Sequence, residues 1–172
     1  MKKLIIILTL LISFSSCKSS KRVKNRKQNS TKVVTKKSKT NTKKTKADYI
    51  IAHAKTFEGV RYKWGGTTKK GMDCSGLIYE SFRVNNIYLP RVSRDMAKKG
   101  VKISLKQVKK GDLLFFKTQK NRRNTINHVG LVVAIKNNNI EFIHATSSKG
   151  VITSWLNESY WLNAFTEVRR IL

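Results

Sequence analysis

Acidic residues are scarce in this chain of 172 residues: nine Asp and Glu stand against 37 Lys and Arg, and none of the nine precedes Asp48. Everything before Asp48 is therefore cationic, with no internal partner to fold around. Cysteine is nearly absent. With only Cys17 and Cys74 the chain is no disulfide-stapled scaffold, and it lacks the short-spaced Cys-x-x-Cys pair typical of structural zinc sites. Histidine occurs three times, at His53, His128 and His144, which leaves imidazole chemistry few places to be. A membrane-spanning run is missing too, because the apolar stretch at residues 4–12 falls well short of the ~20 residues a span needs.

What is there divides into three parts. Residues 1–17 read as a targeting segment: Lys2 and Lys3 supply a positive start, residues 4–12 a short apolar core, and Ser13, Ser15 and Ser16 a small-residue approach to Cys17. The pattern resembles a lipoprotein signal, with Phe14 where that pattern prefers leucine. It implies cleavage before Cys17, acylation of that residue and a membrane anchor on the periplasmic face of the cell envelope. The alternative is a plain secretory signal. Residues 18–46 carry 13 positive charges and no negative one, with Val23, Val33 and Val34 as the sizeable apolar residues. Such a segment buries too little to offset the entropy of ordering, so a disordered basic tether is expected, spanning roughly 30 Å as a coil. Either it adheres to anionic lipid or wall polymers, or it is a solvated spacer. Nucleic acid would suit the charge but lies in the wrong compartment for an exported protein.

Residues 47–172 form one domain's length, with 22 basic and nine acidic residues. Its centre is Asp73-Cys74-Ser75-Gly76. Leu77, Ile78, Phe82 and Val84 recur near helical spacing behind it, so Cys74 opens a helix that Asp73 caps. A thiol in the first turn of a helix gains from the unpaired N–H groups there, which favours a reactive thiolate near neutral pH. The bland alternative is a buried small residue. His128 and His144 lie in strand-like segments and offer a base and a group to orient it. One Cys with two His also admits zinc, while His53 reads as surface or filler.

Tyr62-Lys63-Trp64-Gly65-Gly66, Asp73-Cys74-Ser75-Gly76, Leu89-Pro90-Arg91-Val92-Ser93, Gly111-Asp112-Leu113-Leu114-Phe115-Phe116, His128-Val129-Gly130 and Phe142-Ile143-His144-Ala145 follow one another in an order that resembles the NlpC family of papain-like cell-wall peptidases. The resemblance covers residues 47–172 and implies an α+β, papain-like fold, with N-terminal helices and the nucleophile helix packed on an antiparallel sheet. It implies Cys74 as nucleophile, His128 as general base, His144 as its orienting partner, and Tyr62 with the Cys74 N–H at the oxyanion. Asp73 and Ser75 would hold the free amino end of the substrate, and Arg91 and Ser93 would border the groove. The implied activity is that of a monomeric peptidoglycan endopeptidase needing no metal or cofactor, cutting stem peptides after D-glutamate through a thioester. Arg61 stands where the family often has proline. The alternative is a non-catalytic wall-binding lipoprotein.

Local signals complete the expectation. Asp48 caps a helix over residues 48–57, Trp64 packs within a turn-rich loop over 59–71, and Ser93 caps a short helix reaching about residue 99, stopped by Gly100. Asp112 is a turn residue before a strand at 113–116. Strands at 128–135 and 140–146 flank Asn137-Asn138-Asn139, a hairpin turn signal. The even separation of His128 and His144 lets them share a face if the register is even, with a bulge as one means. A helix at 159–164 and a strand at 165–171 close the chain.

Overall fold

The computed structural model describes residues 43–118 and 125–172. The expected signal segment with Cys17, and the tether up to residue 42, lie outside the described residues. No helix among the described residues is long and apolar enough to cross a membrane.

Helix α1 spans Lys46–Lys55. Its cap is Thr45 rather than Asp48: the Thr45 hydroxyl accepts the Asp48 N–H while the Asp48 carboxylate accepts the Thr45 N–H, a reciprocal capping box that starts the helix two residues before the expected point. The two-residue strands β1 (Thr67–Thr68) and β2 (Gly71–Met72) form a small hairpin leading into α2, Cys74–Arg83. Asp73 caps α2 as expected, its Oδ1 accepting the Gly76 N–H at 2.7 Å. Leu77, Ile78 and Phe82 are wholly buried, whereas Val84 is exposed beyond the helix end.

Helix α3 is the single turn Ser93–Met96, capped by Val92 backbone alone. Ser93 is thus its first residue and buried, not its cap, because Val92 already holds the extended conformation a cap requires. Strands β3 (Val101–Ile103), β4 (Leu113–Phe116), β5 (His128–Lys136), β6 (Asn139–Thr146) and β7 (Gly150–Trp155) follow, then helix α4 (Ser159–Ala164) and strand β8 (Phe165–Arg170). The larger sheet is six-stranded, in the order β3-β8-β4-β5-β6-β7, with each adjacent pair antiparallel. This is the expected α+β architecture. Asp112 does more than turn the chain: it is buried, and Arg170 binds both its oxygens at 2.8 and 2.7 Å, tying the start of β4 to the end of β8.

Helices α1 and α2 pack on one face of the sheet, burying Ile50, Ala54, Leu77 and Phe82 against Val129, Leu131 and Ile143. Phe116, Val132, Phe142 and Trp161 form a second core on the other face. The β5–β6 hairpin turns at Asn137 and Asn138, both with positive φ, the conformation a tight two-residue turn demands. From the turn the strands pair as Lys136 with Asn139, Ile135 with Ile140 and Ala134 with Glu141, then shift so that Val132 meets Phe142 and Leu131 meets Ile143. Val133 is the extra residue of a bulge. Carried onward, the shifted register sets Gly130 opposite His144, so His128 and His144 share a face. The unshifted, odd register would have turned them to opposite faces.

Candidate active site

Tyr62, Asp73, Cys74, Ser75, Arg91, Ser93 and His128 line one cavity of roughly 810 Å³. Of the expected site residues within the described range only His144 is off its wall; it lies wholly buried behind His128.

His128 Nε2 is 2.9 Å from His144 Nδ1, and His144 Nε2 is 3.0 Å from Ser154 Oγ. A base that receives a thiol proton must present a bare nitrogen. With Nε2 committed to His144, that nitrogen is Nδ1, so the consistent arrangement has His128 Nε2–H donating to His144 and His144 Nε2–H donating to Ser154. Both rings are packed against Trp161, at 5.3 and 4.5 Å between centroids, which fixes their planes. Burial lowers the His128 pKa to about 4, and burial together with the neighbouring His128 pushes His144 down as well, so both imidazoles are neutral near pH 7. Ser154 escaped the sequence reading. Its signal was weak: a hydroxyl in the strand Gly150–Trp155, paired with Phe142 and so on the same face as His144.

Cys74 is half-buried at the first position of α2. Burial pushes its thiol up to about 11, with the Asp73 carboxylate adding to the effect, while backbone hydrogen bonds from Val129 and Ser75 and the charge of Arg91 oppose it. The expected thiolate near neutral pH is therefore reversed: desolvation outweighs the helix start, and the resting pair is thiol and neutral imidazole. Iodoacetamide labelling of the resting protein should accordingly stay slow through neutral pH and climb only above about pH 9. A plateau reached by pH 7 would contradict this account.

Tyr62 reaches the site because its backbone bridges that of Met72, with Met72 N–H donating to Arg61 and Lys63 N–H to Met72. Burial, then the charges of Cys74 and Asp73, raise its pKa, which keeps the phenol protonated as a donor. Arg91 spans the Asp73–Ser75 pair: Nη1 is 2.9 Å from Asp73 Oδ1 and 2.8 Å from Ser75 Oγ, and Nη2 is 2.9 Å from Asp73 Oδ2. Trp64 departs from expectation. It is 87% exposed at the cavity rim rather than packed. His53 is partly buried, its ring edge-on to Phe57 at 5.2 Å. The zinc alternative requires converging donors, and among the described residues no group of three or more His, Cys, Asp or Glu is so arranged.

The model of the NlpC/P60 family matches residues 59–170. The chain belongs to the NlpC/P60 family. Murein DD-endopeptidase MepS/Murein LD-carboxypeptidase of Escherichia coli (strain K12) is 39% identical over 117 residues, covering 67% of this chain and 58% of the relative. A probable endopeptidase NlpC homolog of Haemophilus influenzae is 43% identical over 115 residues, covering 66% of this chain and 57% of the relative. The chain thus spans little more than half the length of either. A crystal structure of an NlpC/P60 family protein from Bacillus cereus superposes with a TM-score of 0.65 at 30% identity, over 73% of this chain and 40% of that one.

Proposed function

We propose that this NlpC/P60 domain is a cysteine endopeptidase that hydrolyses amides in the stem peptides of peptidoglycan. The observation that carries the reading is the line His128–His144–Ser154, hydrogen-bonded end to end, whose leading imidazole shares a cavity with Cys74. As the substrate carbonyl enters, His128 Nδ1 takes the thiol proton and Sγ bonds to the carbonyl carbon. The oxyanion is met by the Tyr62 hydroxyl and the Cys74 N–H, donors of a kind worth ~3 to 4 kcal/mol in acyl transfer. His128 returns the proton to the departing amine, leaving a thioester. A water deprotonated by His128 then releases the acid and restores the thiol. The bond expected to break follows D-glutamate, and fragment masses identify it.

Digestion of purified sacculi by the wild-type protein and by Cys74→Ala tests the reading. Muropeptide release should fall by about a thousandfold or more in the variant. Equal release by both, or none by either, defeats it, and activity that survives the variant but not a chelator would favour zinc.

The same reading has the protein tethered in the cell envelope by acyl chains on Cys17, supported by the residue pattern at 1–17 and by an apolar core too short to span. A fatty-acid analogue should label the wild type in its host and not Cys17→Ala. Label in neither, or a variant still membrane-bound after a salt wash, would discard the anchor.

A further inference from the structure

We propose that the end of the domain opposite the candidate active site is a lipid-docking face, on which an anionic membrane surface covers an apolar groove between the turn Leu105–Gln107 and helix α4. The choice of occupant rests on the Cys17 anchor reading and is independent of the endopeptidase reading. Leu105, Ile135 and Leu162 wall a groove of roughly 520 Å³ whose floor is Val108, Ile140 and Leu156. The floor is buried, whereas the three wall residues remain 40, 43 and 53% exposed. Scattered singly, exposed aliphatic side chains call for no explanation, but gathered in one groove they mark a surface that binds. The groove lies far from the cleft. Strand β5 runs from His128 to Lys136, so Ile135 stands about 20 Å from His128 at ~3.3 Å per residue.

Charge narrows the occupant. At this end Asp48, Asp112, Glu141 and Glu167 are each already paired, with Lys110, Arg170, Lys136 and Arg169. Lys106 on the groove wall and Lys109 beside it are exposed and have no carboxylate partner among the described residues. Aliphatic side chains flanked by free ammonium groups suit a bilayer interface, because a lysine stem lies along the apolar layer while its head stays level with the phosphates. The place where the chain enters then favours lipid over a peptide. Lys110 Nζ holds the Asp48 carboxylate of α1 at 2.8 Å, and a Cβ on Gly111 would stand 2.8 Å from that of Ala47, so the chain joins the domain three residues from Val108. Cys17 and the expected tether precede that point in sequence. An acyl chain on Cys17 therefore pulls on the groove end of the domain, and docking there turns the cleft away from the lipid.

The full mature chain, carrying Cys17→Ala to remove the acyl anchor and Cys74→Ala to remove the other thiol, is labelled at Leu162→Cys with a polarity-sensitive nitrobenzoxadiazole probe. A second preparation carries the probe at Ser148→Cys, exposed on the cavity rim. Vesicles of equimolar phosphatidylcholine and phosphatidylglycerol should shift the Leu162 probe to the blue and expose it to quenching by nitroxide lipids, and leave the Ser148 probe unchanged. A probe at Leu105→Cys should repeat the Leu162 result, and phosphatidylcholine alone should give little of it. Adding Lys106→Gln and Lys109→Gln should lower the docked-to-free ratio by about fivefold for each lysine. If both probes respond alike, or neither does while the chain sediments with the vesicles, the basic tether alone binds and the docking face is wrong. A blue shift that grows with protein concentration before any vesicle is added gives the groove to a second copy of the chain and overturns the lipid assignment. An unchanged ratio in the lysine variant overturns the part given to Lys106 and Lys109. Because this chain has no Cys17, failure here leaves the anchor reading to its own fatty-acid test.

Discussion

Replacing His144 with alanine is expected to lower kcat on sacculi by about 10² to 10⁴-fold, nearly as much as replacing His128, although His144 lines no part of the cavity. His144 Nδ1 lies 2.9 Å from His128 Nε2, and in the tautomer that the proposed mechanism requires it is the acceptor that holds the proton there. Without it the buried His128 N–H is unpaired, and the ring relieves that cost by moving its proton to Nδ1 or by turning. Either change leaves no bare nitrogen toward Cys74. Asparagine at 144 keeps an acceptor near the same place and should recover much of the loss, which a purely packing role would not allow. Ser154→Ala removes a partner one step further out and should cost less than either histidine. The pH profile separates this from general damage. In the proposed mechanism His128 must be neutral, and because burial lowers its pKa to about 4, kcat/KM should hold through pH 6 and fall only on approach to pH 4. An acid limb centred near 6.5, or a His144→Ala enzyme within tenfold of wild type, would contradict the relay.

The relay joins residues that the sequence displays through contacts that it does not. Cys74, His128 and His144 were legible because each is a rare residue type inside a motif, and Asp73 because a cap before an amphipathic run is a local signal. The α+β order was legible for the same reason: the periods of α2 and of the strands are properties of short windows. What joins the histidines was not local. Their common face depends on a bulge at Val133, and nothing in a run of Leu131, Val132, Val133 and Ala134 says which valine is extra. Ser154 depends on the pairing of β6 with β7, a property of the sheet. The thiol's ionisation failed for a related reason. A helix start is visible in sequence, but the burial that opposes it comes with packing on a core that includes Val129 and Ile143, far along the chain. Trp64 runs the other way, since an apolar residue in a loop reads as packing in the sequence although folding leaves it at the rim.

Gly76→Ala is expected to lower both stability and activity, against the rule that alanine improves a helix. Propensity alone would make the change favourable by about 1 kcal/mol. Position 76, however, lies where the first turn of α2 meets the loop before β1. A methyl built there overlaps the Gly66 carbonyl oxygen, and it lies 3.0 Å from Asp73 Oδ1 and 3.1 Å from Arg91 Nη2. That carbonyl cannot simply retreat, because it accepts the Asp73 N–H at 3.1 Å and Arg91 Nη2 at 3.2 Å. The helix start must move instead. Overpacking of this kind costs ~1 to 3 kcal/mol, enough to cancel or exceed the propensity gain. A net loss of about 1 kcal/mol would lower Tm by roughly 4 °C in a domain of this size. The larger effect falls on chemistry, since Cys74 is two residues away on the same turn and a displacement of ~1 Å relative to His128 costs on the order of a hundredfold. Gly59→Ala is the matched control. Its φ of 81° makes alanine strained there, but nothing lies within 4 Å of the added methyl, so it should lower Tm without lowering kcat. If Gly76→Ala keeps kcat within tenfold, or raises Tm, the contact between Gly76 and Gly66 does not set the position of the nucleophile.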